Sequence, residues 1–328
     1  MTIAITRRAL QRGLAVLGLY ATALVGAQTQ DWPNRPVKMI VASAPATGGD
    51  VVARLMATEL SKALGQQFVV ENRPGALGVL ANSAGAQATP DGYTVLFSFA
   101  AAIAVNHTLQ PKLPYDTFKD LIPVAQVGSV SNLLLVSPDL PVKNVKEFVQ
   151  YAKANPGVRY GSWGIGSGGH LAMESLGLQT GTTLVNVPYK ATTAAFADVI
   201  GGHLHVTTSD SASPRTLIGA GKLRPIAAIG SRRVPSFPDV PTMTEQGFPF
   251  EADGWYGFFF PARTPAHIQQ RLNEQVTRIV SLPAVREQLH AGNIMDPPPK
   301  TPAAFGDMIR RDIGIWGDVI RKAKVSLE

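Results

Sequence analysis

The sequence predicts an α/β protein of two domains, each a mostly parallel sheet flanked by helices. Two observations carry this. One layout occurs twice: a strand over 37–42 runs into Ser43-Ala-Pro-Ala-Thr-Gly-Gly49 and a helix capped by Asp50, and a strand over 158–163 runs into a glycine-rich loop ending at Gly169, with a helix from Leu171. Loops this poor in side-chain bulk let backbone N–H groups approach a ligand. The helix that follows adds the partial positive charge of its N-terminus. Two such half-sites, about 120 residues apart, predict two domains closing on one small acid. The second observation is that strand and helix patterns alternate along the chain, as they do in sheets covered by helices.

In order, a helix over 51–64 carries Val52, Leu55, Met56, Leu60 and Leu64 at helical spacing. A short strand over 68–70, a small-residue helix over 78–87, a turn at 89–92 and a strand over 93–98 follow. The next unit reads as strands over 133–136, 158–163, 184–187, 204–208 and 223–229. Helices fall over 145–154, 171–178 and 193–200, with a helix end at 217–220. Thr264-Pro265 and Thr301-Pro302 each place a capping Thr before a Pro at the first helical position. The last helix has Phe305, Met308, Ile309, Ile313, Trp316 and Ile320 on one face, a stripe expected to pack on its own domain.

Charged residues make up 16% of the 328 and apolar ones 45%, a balance that fits a well-buried globular protein. The basic residues are scattered, without aromatic–basic alternation, which argues against nucleic acid as a partner. Cysteine is absent, so disulfides and Cys-based metal sites are excluded. Residues 1–27 read as a cleavable export signal: Arg7, Arg8 and Arg12 precede an apolar run over 14–25, and Val25-Gly26-Ala27 fits a cleavage site. The run is shorter than the roughly 20 residues that span a bilayer. An uncleaved anchor is the rival reading, and Arg7-Arg8 leaves a twin-arginine route open.

An ordered set of short segments carries a family resemblance. Trp32-Pro-Asn-Arg-Pro-Val-Lys-Met-Ile-Val41, Glu71-Asn-Arg-Pro-Gly75, Pro90-Asp-Gly-Tyr93, Leu113-Pro-Tyr-Asp116, Val187-Pro-Tyr-Lys190, Ala220-Gly-Lys-Leu-Arg224, Phe237-Pro-Asp-Val-Pro-Thr242 and Trp255-Tyr-Gly257 occur in that order. The chain resembles Bug-type extracytoplasmic solute receptors, the binding components of tripartite tricarboxylate transporters. The resemblance implies a periplasmic-binding-protein (Venus flytrap) fold that binds a small carboxylate in the interdomain cleft without catalysis, cofactor or metal. It implies a periplasmic monomer that works with the membrane components of such a transporter. Residues 28–127 with 254–328 would form one domain and 128–253 the other, crossing near 127–131 and 251–254.

Carried onto this sequence, the first cleft loop falls on Ser43 to Asp50. Ala46 and Thr47 stand where the family pattern has two glycines, beside Gly48 and Gly49. Ser98 and Asn106 are further expected contacts. The second loop supplies Ser162, Trp163, Gly166, Ser167, Gly168 and His170; the family commonly has a small residue in place of Trp163. Tyr189 is expected at the cleft through the stiffening Pro188. The family pattern Val-Asp-Leu-Met-Phe-Asp falls on Leu204-His-Val-Thr-Thr-Ser209, so His205 and Ser209 replace its acids, and the neighbouring Asp210 is a candidate substitute for the second.

Each of these has a plainer reading. Asp50 doubles as a helix cap, His170 as a support for its own loop, Trp163 as core and Trp255 as hinge packing. An enzyme is disfavoured. Gly164-x-Gly166-x-x-Gly169 matches a dinucleotide fingerprint formally, but Leu184-Val-Asn-Val187 lacks the acid expected at the end of the next strand. Ser167 lacks a nucleophile elbow, and His203 and His205 have no third ligand close in sequence to complete a metal site.

Overall fold

The computed structural model describes residues 32–327 apart from 111, 251 and 298–300; the predicted export signal lies outside the described residues. In chain order the strands are β1 (Val37–Val41), β2 (Phe68–Asn72), β3 (Thr94–Phe99), β4 (Leu121–Val130), β5 (Asn132–Val136), β6 (Val158–Ser162), β7 (Leu184–Pro188), β8 (Val206–Asp210), β9 (Arg224–Ile229), β10 (Gly254–Pro261) and β11 (Ile294–Met295). The helices are α1 (Gly48–Leu64), α2 (Val79–Ala86), α3 (Asn106–Leu109), α4 (Val145–Ala154), α5 (Gly168–Thr180), α6 (Thr192–Ile200), α7 (Arg215–Gly219), α8 (Ala266–Val280), α9 (Pro283–Ala291) and α10 (Pro302–Ala323). A π-helical turn, Ala101–Val105, leads into α3.

The strands form two sheets, in the orders β11-β4-β10-β3-β1-β2 and β7-β6-β8-β5-β9. The α/β architecture is as predicted, but both sheets are mixed rather than mostly parallel. β1 runs parallel to β2 and β3, and β6 parallel to β7 and β8. β10 is antiparallel to β3 and β4, and β5 to β8 and β9. The antiparallel strands include those that carry the chain between sheets. β4 passes into β5 with Ser131 alone between them.

The long strands β4 and β10 and helix α9 are absent from the sequence reading. β10 is Gly-Trp-Tyr-Gly-Phe-Phe-Phe-Pro, almost wholly buried at the middle of its sheet. A strand covered on both faces has no polar alternation to mark it. β4 holds Pro123, which argues against a strand in sequence. The structure accommodates it beside a register irregularity in the β4–β10 ladder, where Phe259 faces Pro123 and Phe258 faces Ala125.

Alternation sorts the core. In the second sheet Leu133 and Leu135 pack with Phe196 and Leu204 on one face, while Leu134 and Val136 pack with Phe148, Tyr160 and Leu171 on the other. In the first sheet Phe258 and Phe260 face α1 and α8, and Phe259 faces Phe305 and Ile309 of α10. The apolar stripe of α10 does not stay on one domain. Its N-terminal half completes the first sheet's core, and Trp316, Val319 and Ile320 join the second sheet's core together with Ala104, Val105 and Leu109. Trp316 meets Phe250 edge-on at 5.3 Å. The helix is amphipathic over 22 residues, about 33 Å, long enough to serve both cores.

Trp316→Ala is expected to cost about 3–5 kcal/mol, the usual range for deleting a buried ring. Chemical denaturation followed separately by fluorescence and by far-UV circular dichroism should show one shifted transition. A loss under about 1 kcal/mol would show that the ring carries no shared core.

Candidate functional site

The two Gly-rich loops are built alike. Each helix opens with two glycines and then an acceptor side chain that reaches back four residues: Asp50 Oδ2 accepts from the Ala46 N–H at 2.9 Å, and His170 Nδ1 accepts from the Gly166 N–H at 3.0 Å. The loop is thereby held from inside the protein.

In the first loop, Asp50 is buried and also accepts from Arg54 Nε at 2.9 Å and Asn72 Nδ2 at 2.8 Å. Asn72 donates as well to the Ser43 carbonyl at 3.0 Å. Burial alone raises the Asp50 carboxyl, but the hydrogen bonds from Arg54, Asn72 and Ala46 outweigh it and hold the group below the usual carboxylate range. Asp50 is thus a staple for the loop. Ala46 sits at φ 63°, a conformation a glycine adopts without the penalty a Cβ brings. The Thr47 hydroxyl donates to the Ala44 carbonyl at 2.7 Å and makes no capping bond to α1. The first-turn N–H groups of α1 therefore keep their donor capacity.

Gly49 makes the loop's close approach possible: a Cβ there would fall 2.1 Å from Ser43 Oγ and 3.2 Å from the Tyr256 ring. A Cβ at Gly48 would lie 3.8 Å from the Tyr256 hydroxyl. Tyr256 stacks on Phe97 with ring centroids 5.7 Å apart. Burial, and then the negative charge of Asp210, push its hydroxyl up to about 12. It remains a neutral donor beside Gly48, facing an acid that comes from the other sheet.

In the second loop Ser167 caps α5 by accepting from the His170 N–H at 3.3 Å. Ser162 Oγ accepts from the Gly164 N–H at 3.3 Å. Because His170 Nδ1 is an acceptor, its proton resides on Nε2, 3.5 Å from Glu174 Oε1. His170 therefore supports the loop. Gly166 has φ 76°, and a Cβ there would strike Leu109 at 2.6 Å and meet Val105 at 3.5 Å. The loop thus rests on α3 and the π-helical turn that leads into it. A Cβ at Gly168 would lie 3.2 Å from Asn132 Nδ2 and 3.7 Å from Trp316.

Trp163 is half-buried and stands outside the four apolar clusters. Its ring and the Thr208 side chain both come within 3 Å of where a Gly169 Cβ would be. The indole lies on the Gly169 backbone, at the head of α5, rather than in the domain core.

Three of the predicted contacts are hydrogen-bonded within the scaffold. Ser98 is fully buried and donates to Asn82 Oδ1 at 2.8 Å. Asn106 is fully buried and donates to the Leu77 and Ala102 carbonyls at 2.9 and 3.2 Å. Tyr189 turns its hydroxyl to Asp198 of α6, and its own N–H bonds the Ser162 carbonyl at 2.8 Å. Asp210 ends β8, half-buried, accepting from the Ala212 and Ser213 N–H groups at 2.9 and 2.8 Å and from Ser213 Oγ at 2.6 Å. Tyr256, Asn72, Arg54, Asn132 and Thr208 were not foreseen as parts of the site. Tyr256 had a signal in its Trp255-Tyr-Gly257 segment; the others depend on strand register. Among the described residues no cluster of His, Asp and Glu could hold a metal ion.

Residues 52–325 match the profile of the TctC group, described as the tripartite tricarboxylate transporter family receptor. The chain is 35% identical over 326 residues to BugT of Bordetella pertussis, covering 97% of this chain and 99% of that one. Among solved structures it is similar to Rpa4515 of R. palustris with adipate, at 31% identity and TM-score 0.78, over 90% of this chain and 99% of that one. It is also similar to MatC of Rhodopseudomonas palustris with bound malate, at 31% identity and TM-score 0.74, over 88% of this chain and 100% of that one. These relatives are binding receptors, not enzymes. On the length of these matches and the shared two-sheet architecture, the chain belongs to the TctC family of tripartite tricarboxylate transporter receptors.

Proposed function

We propose that this receptor captures a small carboxylated molecule between two lobes in the periplasm and delivers it to the membrane components of a tripartite tricarboxylate transporter. The lobes would be residues 28–127 with 254–328, and residues 128–253, in a monomer exported through the 1–27 signal. One observation carries the reading: α1 begins with Gly48-Gly49, uncapped by Thr47 and beside the Tyr256 hydroxyl, which gathers neutral donors and a helix N-terminus at one point. The adipate and malate in the two R. palustris relatives support a carboxylate as the ligand class.

A thermal-shift screen of organic acids tests this. An acid at 100 times its dissociation constant adds about 2.7 kcal/mol of stability, so a true ligand raises the melting temperature in proportion to the logarithm of its concentration. No concentration-dependent shift with any acid up to millimolar levels would sink the proposal. Small-angle scattering with the best hit should show a smaller radius of gyration.

Trp163→Ala separates cleft wall from core. Loss of a wall ring should weaken acid binding while leaving the unliganded melting temperature nearly unchanged, since a stacked ring contributes about 0.5–1.5 kcal/mol beyond its area. A core ring would instead cost about 3–5 kcal/mol of stability.

Asp50→Asn tests the staple. The Asp50 carboxyl is held below its ordinary value of 3.8, so the stability it supplies is fully present above that pH. It is lost as pH falls through the lower folded value. Urea melts should show the variant well below wild type at pH 7, with the gap narrowing as pH drops below 3.8. A gap independent of pH would show that the ionised carboxylate is not what holds the loop.

A further inference from the structure

Two acids stand near the cleft loops, and they differ in charge balance. Asp50 is paired with Arg54 at 2.9 Å and bonded by Asn72, so the first loop presents its N–H groups without a bare negative charge beside them. Asp210 has three neutral donors from its own turn and no ion pair among the described residues. Its charge acts on the hydroxyl of Tyr256, the residue beside Gly48 on the first sheet.

Strand alternation fixes which way Asp210 faces. Thr208 and Asp210 are two residues apart on β8 and share a face. Thr208 lies under Gly169, where the Trp163 ring also rests. Asp210 is therefore on the Trp163 side, about 7 Å further along the strand. The preceding residue, Ser209, is fully buried with its hydroxyl unpartnered. A one-residue displacement in a strand moves a side chain to the opposite face. Asp210 and Ser209 therefore point to opposite faces of β8, and Asp210, half-buried at the strand end, is the more accessible of the two.

We propose that Asp210 and Trp163 make this receptor selective for carboxylates whose far end carries a cationic nitrogen, an ω-amino acid or betaine type of molecule, over dicarboxylates. This rests on the carboxylate-capture reading above, with the ligand's carboxylate on the α1 N-terminus and Tyr256. The far end then meets an indole face, which attracts cations, and a carboxylate, which attracts an ammonium and repels a second carboxylate.

Isothermal titration with matched pairs tests it: 5-aminopentanoate against adipate, and 4-aminobutanoate against glutarate, with pentanoate as the uncharged-end control. Wild type should bind the amino member of each pair at least about tenfold more tightly than its dicarboxylate partner and more tightly than pentanoate. Asp210→Asn, which keeps a side-chain oxygen for the turn, should bring each pair to near equality. Trp163→Leu should weaken the amino members and leave the dicarboxylates nearly unchanged. Circular dichroism confirms that each variant is folded; should Asp210→Asn fail to fold, the wild-type ratios and Trp163→Leu decide alone. Equal or tighter dicarboxylate binding by wild type, or a ratio unmoved by folded Asp210→Asn, overturns the selectivity while leaving carboxylate capture standing. Binding of neither member of any pair, nor of pentanoate, overturns both.

Discussion

A side chain reaching four residues back holds each of the cleft loops, and the rest of the site depends on that tie. Backbone N–H groups are useful to a ligand only when something else fixes where they point. Asp50 does this at the first loop through Ala46, and His170 at the second through Gly166. In both, the tie comes from the third residue of the helix, just after a pair of glycines that remove the bulk between loop and helix. The surface the loop offers is then almost pure backbone. The two ties are not equivalent: Asp50 is an ionised carboxylate whose charge is returned by Arg54, whereas His170 is a neutral ring with its proton on Nε2. The first loop also lacks the side-chain cap that Ser167 gives the second. More first-turn donors are therefore left unclaimed at α1 than at α5.

The repeated strand–loop–helix layout and the helical periods were legible because they are local. Val52, Met56 and Leu60 fall on one face whatever the rest of the chain does, and a Gly-rich turn before a helix needs no partner to be recognised. Long-range features were not legible in the same way. β10 is buried on both faces and so has no alternation; β4 contains a proline whose place in the ladder is provided by its neighbour. The site divided along the same line. Gly48, Gly49, Gly166 and Gly168 were readable as backbone surface, and Trp163 as an intruding ring. Ser98 and Asn106 have small polar side chains that suit a cleft or a core equally, and their bonds to Asn82, Leu77 and Ala102 depend on long-range packing. Tyr256 became part of the site because β10 lies next to β3, a pairing that joins positions more than 150 residues apart.

The two sheets are not independent bodies on a loose tether. β4 runs into β5 through a single residue, α10 contributes to both cores, and Leu109 and Val105 seat the second loop through Gly166. Rigid-body rotation about Ser131 that pulled the sheets far apart would expose Trp316 and the apolar residues around it. Exposing buried hydrocarbon costs about 25 cal/mol per Å², so a wide opening is opposed by the same cluster that stabilises the fold. Any motion available at low cost keeps Gly166, Leu109 and Trp316 together. That confines the larger displacement to the opposite side of the cleft, where the loop over 43–49 and Tyr256 face the end of β8. The acceptor and donor groups with the most freedom to approach one another are then Asp210 and the α1 N-terminus.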